Sequence, residues 1–246
     1  MNWNSYIKQF SNYLKLERSL SQNSIDAYVR DVEKLNQFMD MTYPSVSPLK
    51  TTSKQLQGFI EYINELGMSA HSQARILSGI KAFYKFMMVE DLVENDPTSL
   101  LEGPKLGRKL PDTLDYIEIT KMLEAIDLSK PEGERNRAML EVLYGSGLRV
   151  SELVELKKGN VYFDIGFLRV IGKGYKERLV PCGKDALKYL KTYIENIRVH
   201  IPIQKGFENH VFLNRRGKKL SRVMVFLIIK DLAERIGLKK SISPHT

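Results

Sequence analysis

Between Asn160 and Cys182 the hydrophobic rhythm of this chain changes. Before that stretch apolar residues recur every three or four positions, the spacing that lines one face of a helix. Inside it, "NVYFDIGFLRVIGKGYKERLVPC" offers three short runs rich in β-formers, separated by "DIG" and "GKGYK". Runs of this kind joined by glycine-bearing turns fold as an antiparallel meander. After it, "GKDALKYLKTYIENIRV" returns to the helical period. One small sheet set among helices makes the chain mainly α with a small antiparallel β-sheet.

The helices fall into two groups. "WNSYIKQFSNYLKL" has apolar residues at 3, 6, 7, 10, 13 and 14, an amphipathic stripe. "SLSQNSIDAYVRDVEKLNQFMD" offers capping Ser and Asn, then Ile25, Tyr28, Val29, Val32, Leu35, Phe38 and Met39 on one face. A Pro-containing loop at 44–48 precedes a third helix, "SKQLQGFIEYINELG", closed by Gly67, and Ser69 caps a fourth, "AHSQARILSGIKAFYKFMMVE". "ENDPTSLLEGPKLGRKLPDTL" then breaks the pattern with three prolines and two glycines. Its residues 103–111 read as a linker between a helical domain, 1–102, and a second domain, 112–246. In the second domain a helical pattern opens near Asp115, another ends at Tyr144, and "SELVELK" begins a third. Beyond the meander, "HVFLNRRGKKLSR" reads as a short strand and turn, and "VMVFLIIKDLAERIG" as a helix closed by Gly237. The closing "SPHT" has the Ser cap and first-turn Pro of a helix start.

Charge is distributed unevenly. Residues 1–105 carry 11 Lys/Arg against 12 Asp/Glu, a net of −1, whereas residues 106–246 carry 27 against 17, a net of +10. A surface with that excess attracts a polyanion, most simply nucleic acid, although a basic domain without such a partner has the same balance. The one cysteine, Cys182, rules out an internal disulfide and fits a reducing cytoplasm. The longest apolar run, residues 223 to 229, is too short to span a bilayer, and "MNWNSYIKQF" lacks the apolar core of a secretory signal. Histidines 71, 200, 210 and 245 show no metal-ligand spacing, so no metal is expected.

Two motifs carry chemistry. "YGSGLRVSEL" puts Arg149 directly after a Gly-Ser-Gly break between two helical patterns, at a corner expected to be buried. An arginine there pairs with Glu152 or a helix-end carbonyl, or presents a rigid fork to two phosphate oxygens. "IGKGYKER" places Lys173 between glycines at a hairpin tip, either a solvated turn or a proton donor to a leaving oxygen. The glycine spacing around it is not that of a Walker loop, so no nucleotide cofactor is expected.

In that order and at those separations, "YGSGLRVSEL", "GKGYKER" and the closing "SPHT" resemble the catalytic domain of the tyrosine recombinase (phage integrase) family, its Xer-type members in particular. "LKLERSLSQNSIDAYVRDVEKLNQF" and "SAHSQARILSGIKAFYKFM" resemble that family's helical core-binding domain, so the likeness covers nearly the whole chain. The resemblance implies a helical N-terminal core-binding domain plus an α+β catalytic domain, clamping opposite sides of double-stranded DNA. It makes Arg149 the first catalytic arginine, Glu152 its acidic companion, Lys173 the lysine that protonates the leaving 5′ oxygen, and His245 the first residue of a His-x-x-Arg motif. The implied reaction is site-specific DNA breakage and rejoining through a 3′-phosphotyrosyl intermediate, without cofactor, in a tetramer on paired sites. The second arginine and the tyrosine nucleophile find no counterpart up to Thr246. The expectation is therefore a recombinase cut short, monomeric in solution, that binds DNA without cleaving it; a non-catalytic regulator or decoy of the same fold is the alternative. RNA binding has only the charge behind it. The resemblance mildly favours chromosome-dimer resolution over phage integration or transposition. On the fourth helix His71, Ser72, Gln73, Arg75 and Lys81 are the expected DNA-reading residues.

Overall fold

The computed structural model describes residues 2–107, 112–172, 174, 176–244 and 246. It divides into two compact units, Met1–Lys109 and Leu110–Thr246. Residues 108–111 of the expected linker, Lys173 of the hairpin motif and His245 of the closing motif lie outside the described residues.

Four helices build the first unit: α1 (Trp3–Leu16), α2 (Gln22–Thr42), α3 (Ser53–Glu65) and α4 (Ala70–Val89). Side-chain caps fix where three of them start. Asn2 accepts from the Ser5 amide, Thr52 and Gln55 form a reciprocal capping box, and Ser69 accepts from the Ser72 amide. The amphipathic stripe of α1 turns inward, with Trp3, Tyr6, Ile7, Phe10 and Leu14 buried. Phe10 is 0% exposed and meets Phe83 and Phe86 of α4 at centroid distances of 5.4 and 5.6 Å. An aromatic ring hidden to that degree contributes roughly 1.5–3 kcal/mol.

The second unit opens with α5 (Tyr116–Glu124), α6 (Pro131–Ser146) and α7 (Val150–Glu155). Asp115 and Glu118 form a capping box at the start of α5, and Pro131 occupies the first turn of α6, where its missing N–H costs nothing. The meander follows as β1 (Val161–Tyr162), β2 (Phe167–Ile171) and β3 (Glu177–Pro181), antiparallel in that order, with Leu168 opposite Val180 and Val170 opposite Arg178. Then come α8 (Lys184–Thr192), a π-helical turn at Tyr193–Ile197 and α9 (Arg222–Arg235). Met139 and Val142 of α6 pack with Leu168, Leu190 and Phe212 into one fully buried core.

Two expectations need adjustment. The helix read across 183–199 is interrupted by the π-helical turn, where Tyr193 is fully buried and its hydroxyl accepts from the Leu213 amide. The strand read at 210–222 is reduced to isolated bridges, Lys157 with His210 and Leu213 with Lys219. Val211, Phe212 and Leu213 are buried in succession, so this stretch lacks the alternation of a strand with one wet face.

Its turn depends on Gly217. Here φ is +71°, and a Cβ would stand 2.0 Å from the Pro202 carbonyl oxygen. Gly217→Ala is expected to destabilise the second unit by ~2–5 kcal/mol, the left-handed strain and the clash acting together. Urea unfolding followed by circular dichroism measures this. Trp3, the sole tryptophan, lies in the first unit, so its fluorescence transition should stay in place. An unmoved dichroism midpoint would show that the turn tolerates a side chain.

Candidate active site

α6 ends where Gly147 turns left-handed, with φ +58°. Arg149 follows with an extended backbone (φ −68°, ψ 148°). Neighbouring side chains on an extended chain leave on opposite sides. Leu148 and Val150 are 5% and 6% exposed, so their burial directs Arg149 outward. Its side chain is 68% exposed. The guanidinium at this corner is therefore on the surface rather than buried, which corrects the expectation. The buried member is Glu152, whose side chain is 4% exposed.

Glu152 is the hub of the site. One oxygen, Oε2, accepts from the Arg149 backbone N–H at 2.9 Å, satisfying an amide at the start of α7. The other, Oε1, accepts from Arg149 Nη1 at 3.1 Å. From the opposite side Arg178 of β3 donates as a fork, Nη1 to Oε1 and Nη2 to Oε2, both at 2.8 Å. These four donors fill the carboxylate's acceptor sites. The Arg178 fork above all holds the Glu152 carboxyl at about 2, with the Arg149 bonds assisting and burial opposing. Glu152 is thus an anion throughout the neutral range. Arg149 commits one side-chain nitrogen to it, and its Nε and Nη2 hydrogens have no hydrogen-bond partner among the described residues. The pairing with Glu152 and an outward phosphate-binding fork are therefore compatible in one geometry.

The hairpin lies against this hub. The Gly172 amide donates to the Lys176 carbonyl at 2.8 Å, closing the turn that contains Lys173 in sequence. A Cβ on Gly172 would be 3.6 Å from Arg178 Nη1 and 3.7 Å from Glu152 Oε1, so the backbone at the turn sits on the ion pair itself. Beside Arg149 a cavity of about 380 Å³ opens, lined in part by Leu114, Tyr144, Leu148, Ile229 and Pro244. Of the four expected catalytic residues, the described structure brings Arg149 and Glu152 together. Arg178 was not foreseen. It stands inside "GKGYKER", yet 26 residues separate it from Glu152, and no spacing rule connects a strand residue to a helix cap at that distance.

On α4 the five expected DNA-reading residues take different roles. His71 is exposed and without a partner among the described residues. The Ser72 hydroxyl accepts from Ser69 within the helix cap. Gln73 is buried, and its amide donates to Asn64 Oδ1 and the Met68 carbonyl, so the base-reading expectation does not suit its position. Packing between the α3–α4 turn and the helix start is what draws it inward. Arg75 donates at 2.6 Å to Asp31 of α2, a buried carboxylate whose other oxygen lacks a partner among the described residues. Burial pushes the Asp31 carboxyl up, and Arg75 pulls it back. Lys81 is exposed and donates to the Leu101 carbonyl at 2.8 Å. A further cationic feature, missed in the sequence, is the turn after Asn214. Asn214 Oδ1 accepts from the Arg216 and Lys218 amides, which leaves Arg215, Arg216 and Lys218 exposed.

Among the described residues no group of three or more His, Cys, Asp or Glu side chains is placed to hold a metal ion. None of the described helices is long and apolar enough to cross a membrane.

Comparison with known proteins bears on both units. The model of the phage integrase family matches residues 112–246, and that of the phage integrase N-terminal SAM-like domain matches residues 7–91. Tyrosine recombinase XerD of Staphylococcus saprophyticus is 42% identical over 241 residues, covering 98% of this chain and 81% of the relative. XerD of Staphylococcus aureus strain Mu50 gives the same identity and coverage. Among solved structures, XerH recombinase bound to a palindromic difH substrate aligns with a TM-score of 0.74 at 19% identity, covering 97% of this chain and 70% of that one. A lambda integrase dimer bound to a COC′ core site aligns with a TM-score of 0.74 at 18% identity, covering 100% and 86%. These last two likenesses concern the fold.

Proposed function

Because this chain belongs to the phage integrase family of tyrosine recombinases, we propose that it binds one specific double-stranded DNA sequence and that Arg149 holds the phosphate to be broken. The observation that carries this reading is the outward Arg149 fork, anchored through one nitrogen on the buried, ionised Glu152. A guanidinium so placed meets two non-bridging phosphate oxygens and neutralises the charge that grows on them as phosphorus becomes five-coordinate. A tyrosine oxygen attacks phosphorus, the bond to the 5′ oxygen breaks, and the phosphate passes to the tyrosine as a 3′-phosphotyrosyl ester. Lys173 gives the departing 5′ oxygen its proton, and His245 stands with Arg149 at the phosphate; these two assignments rest on the match of their motifs to the family. Rejoining reverses the sequence with a different 5′ hydroxyl, on paired sites brought together by four copies. Lambda integrase has been solved as such a tetramer on a Holliday junction.

On α4 the exposed His71 and Arg75 face the DNA, with Lys81 a turn and a half further on, and Ser72 and Gln73 support the helix start. The exposed cations at 215–218 add phosphate contacts from the second unit.

The test starts from a pool of random duplexes. Selection by the protein expressed from its whole reading frame should enrich one sequence. That sequence, nicked beside the exchange point so that religation fails, should yield an adduct resistant to SDS, joined through a 3′ phosphate. Enrichment without an adduct would favour a binding regulator of the same fold. No enrichment would defeat the reading altogether.

A further inference from the structure

We infer that Arg178 is a positioning residue for strand cleavage: by filling the far side of the Glu152 carboxylate it leaves the Arg149 fork free for the phosphate, and it ties the β2–β3 hairpin to the start of α7. The inference rests on the recombinase reading above and assigns a task to a residue outside the four catalytic candidates.

The argument begins with acceptor counting. A buried carboxylate needs all its lone pairs met, and Glu152 receives two donors from Arg178 and two from Arg149, one of them a backbone N–H. The Arg178 bonds, both 2.8 Å, are shorter than the 3.1 Å bond from the Arg149 side chain. Arg178 is therefore the principal partner. Without it, half the carboxylate's acceptor sites stand open beside Arg149, the one other guanidinium that contacts it among the described residues. A bidentate pair is the favoured geometry, so Arg149 would fold back and donate a second N–H to Glu152. That conformation removes the donors needed at the phosphate and leaves a neutral pair where the triad carries a net positive charge.

The second part concerns the hairpin. Arg178 pairs across the sheet with Val170, and Gly172 lies over the Arg178–Glu152 contact. One ion pair thus fixes β3, the strand that leaves the turn between Gly172 and Lys176, against the start of α7 that presents Arg149. Lysine at 178 would supply a charge but not the two parallel bonds that set this orientation.

The charged groups against Glu152 are Arg149 at the α6–α7 junction and Arg178 on β3. In the native protein Glu152 stays ionised down to about pH 2, so it adds no acid limb to the rate in the neutral range. Removing Arg178 raises the carboxyl's affinity for a proton, and protonated Glu152 no longer anchors Arg149. The expected signature is an acid limb displaced to higher pH than in the native protein.

The experiment measures adduct formation on the nicked, selected duplex with the protein from the whole reading frame. Arg178→Met should slow it ~10–100-fold, the effect of a misplaced catalytic group, with DNA affinity little changed. Arg178→Lys should recover part of the rate. Arg178→Met combined with Glu152→Gln should lose the acid limb, because the titrating group is gone. Carboxyl-carbon NMR on the 246-residue chain should show Glu152 titrating at higher pH in Arg178→Met. If Arg178→Met cleaves at the native rate with an unchanged pH profile while Arg149→Ala is inactive, the inference falls and the recombinase reading stands. If Arg149→Ala also cleaves normally, that reading fails as well. Should Arg178→Met fail to fold by circular dichroism, Arg178→Lys decides: a native rate and a native Glu152 titration overturn the inference.

Discussion

Arg149→Lys should reduce the rate of adduct formation by at least ~10³-fold, the loss seen when a charge-stabilising arginine is withdrawn from phosphoryl transfer. The expectation follows from geometry rather than charge, since lysine keeps the positive sign. Arg149 grips Glu152 through Nη1 while its side chain stays mostly exposed, so under the proposed reading one planar group would span the anchor and the phosphate at once. An ammonium has no second face, and on Glu152 it would point its donors inward. Binding should hardly change, because the phosphate at the exchange point is one contact among many. The same duplex therefore serves both measurements, with anisotropy for affinity and SDS gels for the adduct. Loss of affinity in step with loss of cleavage would make Arg149 a general DNA contact and remove it from the chemistry. A native cleavage rate in Arg149→Lys would remove the need for a fork.

Affinity for DNA should fall roughly a thousandfold between 50 and 200 mM salt if ~6 phosphates are neutralised per protein. The second half of the chain, with its net of +10, supplies most of that attraction. Cations already neutralised inside the protein contribute less. Arg75 bonded to Asp31 and Arg178 bonded to Glu152 each bring a compensating anion, whereas Arg216 and Lys218 on the turn after Asn214 touch none among the described residues. Plotting the logarithm of Kd against that of salt concentration gives the number of contacts directly. A slope near zero would mean that neither unit binds the backbone. The slope for the selected sequence and for an unrelated duplex should agree closely, because phosphate contacts are blind to sequence.

Local periodicity was enough to place the helices and the meander. Phe10 and Leu14 recur on α1 at the helical spacing and are buried, and the alternating runs from Val161 to Pro181 pair as three antiparallel strands. The Ser69 cap was legible for the same reason, since its side chain satisfies an amide three residues ahead, whereas Ser21 before α2, in a stretch also read as capping, makes no side-chain cap bond. The order of "YGSGLRVSEL" and "GKGYKER" marked Arg149 through resemblance to the family, with Glu152 as its acidic companion, and in the structure Glu152 accepts from the Arg149 amide three residues before it.

Tertiary structure decided what surrounds those residues. Arg149 looked buried because apolar patterns flank it, but the extended backbone at the cap sends Leu148 and Val150 inward and the arginine out. Gln73 looked like a reader on a solvent face, but the turn from α3 brings Asn64 and the Met68 carbonyl to its amide. Arg75 meets Asp31 from 44 residues away, and Arg178 meets Glu152 from 26. A periodic pattern reports which way a side chain leaves its own helix or strand, since that is fixed by the backbone's repeat. Which group waits there depends on how the elements fold back on one another, and it is this long-range packing that turns a lone arginine into an anchored fork.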